Sequence, residues 1–237
     1  MLPGAADLAE AAAREFRSAS EEAIAARGVF RVALSGGSTP RRLHERLTRA
    51  PFRRGIEWKK IRFFFGDERC VPPESDSSNY LMAARTLLGP LGIAEDRVFR
   101  IRGEAPPKTA AAEYARLLEG EFAAERGGPG LDLVLLGLGP DGHTASLFPG
   151  TRALEERDRP ASANWVPKLR EWRITMTYPV FEAARRVIFL VTGEEKAAPA
   201  AAIIGRKKAG RDLPAARVLP RRGSLLWLLD ESAGRDL

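Results

Sequence analysis

The 237-residue chain carries two histidines, and one of them, His143, stands in the stretch LDLVLLGLGPDGHTASLFPG, Leu131 to Gly150. An imidazole with an ordinary pKa near ~6.5 can take a proton from water at neutral pH. General-base catalysis of that kind contributes about 10²–10⁴-fold. Asp141, two residues earlier, can orient the ring or bind a substrate hydroxyl. The other histidine, His44, lies in the arginine-rich RRLHER and reads as structural. Gly137, Gly139 and Gly142 also spell G-x-G-x-x-G after an apolar run, the pattern of a dinucleotide-binding turn. The residues after Gly142 rule that turn out. HTASLF is too short for a crossover helix before Pro149-Gly150, and TRALEERDRPASANW is polar and broken by Pro160, with no strand ending in an acid. What remains is a glycine loop presenting Asp141 and His143 at the C-terminal end of a strand.

Three more stretches carry candidate chemistry. Ser35, Gly36, Gly37, Ser38 and Thr39, followed by Pro40, lie between an apolar run and a helical one. Ser38 or Thr39 can cap that helix, and its free amides then form an anion site suited to a monophosphate, since no G-x-x-x-x-G-K-[ST] is present. A plain strand-to-helix turn is the alternative. Asp67-Glu68-Arg69 follows IRFFF, with Ser78-Asn79-Tyr80 some way on; Arg69 can clamp an oxyanion, or the three charges can pair among themselves. Arg173, in WRITMT, and Lys196, in GEEK, place cations at strand ends. A lysine at a helix start opposes the helix dipole, which suggests a substrate anion as its partner; a solvated surface lysine is the equal alternative.

The elements that must position these residues alternate. An alanine-rich helix runs from Ala6 to Gly28 with Leu8, Phe16 and Ile24 facing the core. Strands are expected in VFRVAL, IRFFF, RVFRI, LDLVLL, WRITMTY, RRVIFLV and SLLWLLD, and helices in PRRLHERLTRA, SSNYLMAARTLLGPLG, TAAAEYARLLEGEFAAER and EEKAAPAAAIIG. Helices of about a dozen residues between strands argue for one α/β domain over residues 1–237, a mostly parallel, Rossmann-like sheet with helices on both faces.

Composition narrows the classes. With 44% hydrophobic residues the chain can bury a large core. Its apolar runs are far shorter than the ~20 residues of a membrane span, and the N-terminus has no basic-then-apolar layout, so a cytoplasmic protein is expected. Cys70, the one cysteine, excludes an internal disulfide or a thiolate zinc cluster, and no histidine partner makes it a nucleophile. The net charge of +7 comes from 38 basic residues spread singly and in pairs, which suits an anionic small substrate and gives no block for nucleic acid. No G-x-S-x-G elbow is present either.

Taken together, ALSGGSTP, FFFGDERCVPPESDSSNY, LDLVLLGLGPDGHTASLFPG, WRITMTYPVFEAARRVIFLVTGEEKA and LLWLLD resemble the 6-phosphogluconolactonase family in order and over most of the chain. The resemblance implies the fold of glucosamine-6-phosphate deaminases and ribose-5-phosphate isomerases, hydrolysis of 6-phospho-D-glucono-1,5-lactone in the pentose phosphate pathway, and no metal or organic cofactor. It also implies roles. His143 is the base acting on water, Asp141 its support, and Arg69 a substrate or oxyanion ligand. Ser35 to Thr39, with Lys196 and Arg173, hold the 6-phosphate; Asp67 and Asn79 belong to the substrate site. Pro199 just after Lys196, Trp172 before Arg173, and a short Gly205–Pro214 segment depart from the expected pattern. The rivals are a deaminase or isomerase on the same fold, whose Asn-Glu-Pro motif is replaced here by Ser146-Leu147-Phe148-Pro149, and a non-catalytic sugar-phosphate sensor, for which the roughly thirty residues before the first strand leave no room for a DNA-binding module.

Overall fold

Short, largely apolar runs with no polar alternation become the centre of a sheet, because a strand covered on both faces has no solvent side to mark. β1 (Phe30–Leu34) and β5 (Leu133–Leu136) are buried at every position, and β2 (Ile61–Phe65) and β8 (Arg186–Val191) at all but one. With β4 (Val98–Phe99) and β9 (Ser224–Leu229) they form a six-stranded parallel sheet in the order β4-β2-β1-β5-β8-β9. The computed structural model describes residues 1–123 and 130–237. The expected continuation of one helix to Arg126 and most of the RGGPG turn lie outside the described residues.

The helices are α1 (Ala5–Arg27), α2 (Ser38–Leu47), α3 (Phe52–Gly55), α4 (Asn79–Ala83), α5 (Gly89–Leu91), α6 (Pro107–Ala123), α7 (Tyr178–Ala183), α8 (Ala197–Ile204) and α9 (Glu231–Gly234). A π-helical turn, Ala84–Leu88, joins α4 to α5 within the single helix expected there. In α1 the predicted face is the buried one, with Leu8, Phe16 and Ile24 inside and Gly28 in the left-handed C-cap. From β1 the chain moves outward through β2 to β4, then returns to β5 and moves the other way through β8 to β9. Right-handed crossovers, the rule for parallel neighbours, therefore put the connections of the two halves on opposite faces. The strand order reverses between β1 and β5, and ligands of open α/β sheets bind outside the carboxyl ends of the strands at such a point. The loops leaving β1 and β5 are the two glycine-rich candidates.

One part of the architecture departs from the sequence expectation. Asp67–Arg69 is itself a strand, β3, and Ala161–Val166 is another, β6; both pair antiparallel with β7 (Glu171–Met176) in the order β3-β7-β6. Pro160 ends immediately before β6, where a missing N–H costs no ladder bond. The polarity that hid β6 has a physical cause: Ser162, Asn164, Arg173, Thr175, Asp67 and Arg69 share one face of this small sheet through its register.

Candidate active site

The loop after β5 folds back on itself. Gly139 N donates to His143 O at 2.8 Å, Gly142 N to Gly139 O at 2.9 Å, and Thr144 Oγ1 to Gly137 O at 2.8 Å. No helix follows, in keeping with the rejected dinucleotide turn; a short 3₁₀ turn at Arg152–Glu155 is the next regular structure. Closure of the loop brings the His143 ring over Gly139, where an added Cβ would sit 2.0 Å from Nδ1. Glycine is therefore required there by close approach. On its other side the ring stacks on Phe148, with centroids 4.0 Å apart.

His143 Nδ1 lies 2.5 Å from Asp141 Oδ1, and Lys168 Nζ lies 3.0 Å from Asp141 Oδ2. Burial tends to raise the Asp141 carboxyl, yet the hydrogen bonds from His143 and Lys168 outweigh it and hold the group down at about 2. An ionised carboxylate only accepts, so Nδ1 carries a ring proton, and in the neutral ring Nε2 is the nitrogen with the lone pair. Among the described residues no hydrogen bond occupies Nε2. The pair thus has the polarity of a base held ready by an orienting acid.

A chain of buried polar contacts ties this loop to the other candidates. Ser146 Oγ donates to Asp67 Oδ2 at 2.6 Å, and Ser146 is gripped through its backbone by Thr175 Oγ1 and Asn164 Nδ2. Asn79 Nδ2 donates to Asp67 Oδ1 at 3.2 Å and to Asp67 O at 3.0 Å. The Asn79 amide in turn presses on Gly36, where a Cβ would meet it at 1.9 Å. Glu68 fixes the segment from beneath, accepting from the backbone N–H groups of Arg69, Asn79 and Tyr80 and from Ser78 Oγ. Burial pushes the Glu68 carboxyl above its usual value even against those donors. Asp67, Glu68 and Arg69 do not pair side chain to side chain in the hydrogen bonds they make.

The cations occupy two places. Arg69 and Arg173 are register partners across β3 and β7 and line one cleft of about 710 Å³. Arg69 Nη1 donates to Ser77 O at 2.8 Å and Arg173 Nη2 to Glu171 at 2.7 Å, while both Nε–H donors are buried without a partner. Elsewhere, Lys196 precedes α8 at the end of β8, held loosely at 3.5 Å from Glu195. Thr39 Oγ1 and Thr192 Oγ1, 2.7 Å apart, join the start of α2 to the same strand end. The Thr39–Thr192 contact thus brings the start of α2 to the loop that leads on to Lys196, with the first-turn amides of α2 free of intrahelical partners.

Two details correct the sequence expectations. Gly37, not Ser38 or Thr39, is the N-cap of α2, and no side chain caps it, because Thr39 spends its hydroxyl on Thr192. Pro199 falls in the first turn of α8, which leaves the path of Lys196 undisturbed. Trp172 pairs with Trp165 across the β6–β7 hairpin, centroids 5.6 Å apart. The Gly205–Pro214 segment backs the loop after β5, with Leu213 packed on Gly142 and, just beyond it, Ala215 N bonded to Gly142 O at 3.0 Å. Sequence reasoning misses Lys168 and Ser146, and it names Glu68 without its role as acceptor for the Ser78–Tyr80 segment. Ser146 lies in a stretch that its histidine already marks, whereas Lys168 reaches Asp141 only through a hairpin that the polar sequence conceals.

Residues 3–227 match the family model described as glucosamine-6-phosphate isomerases/6-phosphogluconolactonase. A 6-phosphogluconolactonase of Nostoc sp. is 41% identical over 219 residues, covering 92% of this chain and 88% of the relative. The human 6-phosphogluconolactonase is 42% identical over 214 residues, covering 90% and 82%. Among solved structures, the 6-phosphogluconolactonase from Trypanosoma cruzi superposes with a TM-score of 0.86 at 31% identity, covering 100% of this chain and 96% of that one.

Proposed function

This chain belongs to the family of glucosamine-6-phosphate isomerases and 6-phosphogluconolactonases and is a lactone hydrolase of the 6-phosphogluconolactonase kind; we propose that His143 performs its chemistry on water. The observation that carries this mechanism is the Asp141–His143 pair at the switch point, with Nδ1 committed to the carboxylate and Nε2 open. Nε2 takes a proton from water as the oxygen attacks the lactone carbonyl. Asp141 stays ionised and stabilises the imidazolium. The tetrahedral oxyanion collapses by expelling the ring oxygen, which receives the proton back from Nε2, and the ring opens to a hydroxy acid. The unused Nε–H donors of Arg69 and Arg173 suit developing or permanent negative charge. A well-aimed donor to an oxyanion can be worth about 3–4 kcal/mol.

The 6-phosphate is assigned to the α2 amides of Gly37, Ser38 and Thr39 with Ser35 and Lys196, a reading supported by the Thr39–Thr192 contact that joins the α2 start to the loop leading to Lys196. Gly36 lets the backbone and Asn79 approach one another, and Asp67 works as the strut between Asn79 and Ser146. The reading carries with it one domain over residues 1–237, no nucleic-acid partner and a cytoplasmic location. Among the described residues no helix is long and apolar enough to cross a membrane.

The test is acid release from freshly generated 6-phosphogluconolactone, corrected for spontaneous opening. His143→Ala is expected to lower kcat by about 10²–10⁴-fold while 6-phosphogluconate still binds. A wild-type rate equal to the blank, with ammonia released from glucosamine 6-phosphate or tight binding without turnover, overturns the lactonase reading.

A further inference from the structure

The turn between β6 and β7 sends one side chain into the catalytic pair. Lys168 lies 27 residues from Asp141 in sequence, yet its ammonium occupies Oδ2 while His143 Nδ1 occupies Oδ1. The Lys168 side chain is 66% exposed. An exposed ion pair contributes little to stability, and ordering a lysine costs rotamer freedom. The contact therefore finds its use in what it does to Asp141. A carboxylate can rotate and exchange its two oxygens; with a cation fixed on one, the other stays on the imidazole. The ammonium also shares the negative charge that would otherwise stabilise the imidazolium alone.

We propose that Lys168 is a positioning residue of the reaction, one that locks the Asp141 carboxylate onto His143 Nδ1 and keeps the resting ring from accumulating as imidazolium. The catalytic meaning rests on the lactonase reading; the coupling between Lys168 and His143 does not. The charged groups around the pair leave this role to Lys168. On the hairpin, Glu171 is taken by Arg173 at 2.7 Å. On β3, Asp67 is bound to Ser146 and Asn79, and Arg69 to Ser77 O. Behind Gly142, exposed Arg211 and Asp212 flank Leu213, and Arg217 is turned to Leu154 O and Glu155. Among the described residues, the Asp141 carboxylate is hydrogen-bonded by His143 and Lys168 and by no third residue.

The experiment is a pH titration of the imidazole NMR signals in the substrate-free protein. The chain has two histidines, and the His143 signals are identified by their loss in His143→Ala. In Lys168→Met the His143 midpoint is expected to move upward from wild type by roughly half a unit to one unit. Lys168→Arg restores it, since it returns the cation. The acid limb of kcat/KM should follow the same displacement, with the rate on the alkaline plateau reduced about tenfold or less. A Lys168→Met titration that superimposes on wild type overturns the proposal. So does a rate loss with an unmoved acid limb, which would mark Lys168 as a plain substrate contact. If the titration moves while no variant hydrolyses lactone, the coupling stands and the lactonase reading is what fails.

Discussion

At the scale of single residues, the site depends on which atom of each side chain is already spoken for. Asp141 gives one oxygen to His143 and the other to Lys168, and this fixes the outcome of Asp141→Asn. The amide oxygen must face the ammonium, so the NH₂ faces Nδ1, which then has to accept. The ring proton moves to Nε2 and the base is lost. A fall in kcat of about 10²–10⁴-fold is expected with the thermal midpoint nearly unchanged, and activity close to wild type would show that the tautomer does not matter. Gly139→Ala tests the same ring by force. A Cβ 2.0 Å from Nδ1 leaves no room for the imidazole where it now lies. The ring must swing off Asp141, and kcat should fall at least a hundredfold, within the range for losing a general base. Retained activity would mean that the observed ring position is not the working one.

At the scale of elements, the large sheet and the small one are unequally legible. Strands of the parallel sheet are largely apolar runs without a polar alternation, and their periodicity with the helices between them carries the fold class directly, as β1, β2, β5 and β8 illustrate. The small β3-β7-β6 sheet turns a polar face toward the site, so its strands carry serine, asparagine, aspartate and arginine where a strand is normally read from apolar alternation. Asp67–Arg69 accordingly reads as a loop. Functional types such as His143 and Arg69 stand out by chemistry; Lys168 and Ser146 do not, because their roles arise from pairings between distant segments. Ser146 shows what such a pairing carries. It is fully buried and its hydroxyl is the 2.6 Å donor to Asp67 Oδ2. Ser146→Ala strands that oxygen away from water, at a cost of about 1–3 kcal/mol. Urea unfolding should show the loss, and kcat should fall with it because the loop that carries Asp141 and His143 loses its tie to β3. Unchanged stability would refute the strut.

At the scale of the whole molecule, the two histidines sit in opposite surroundings, and the buried one bears on stability. His44 is fully buried in α2, with Nδ1 3.1 Å from Thr86 Oγ1 in the π-helical turn and Nε2 without a partner. Burial pushes it down from the ordinary 6.5 to about 4, so the folded protein holds it neutral where the unfolded chain would protonate it. Linkage sets the sign: the contribution is present in full above the unfolded value near ~6.5 and is lost as pH falls toward the folded one. At pH 5 the loss comes to about 2 kcal/mol. Glu68 and Asp132, whose carboxyls burial raises, act in the opposite sense and soften the decline near its acid end. Urea midpoints measured from pH 7.5 down to 5 should therefore change little above about 6.5 and fall below it in wild type. His44→Asn keeps a hydrogen-bonding atom for Thr86 but cannot take a proton, so its midpoints should be flatter over the same range whatever its stability at pH 7.5. An equal slope in the variant would assign the acid sensitivity to other groups and leave His44 as packing alone.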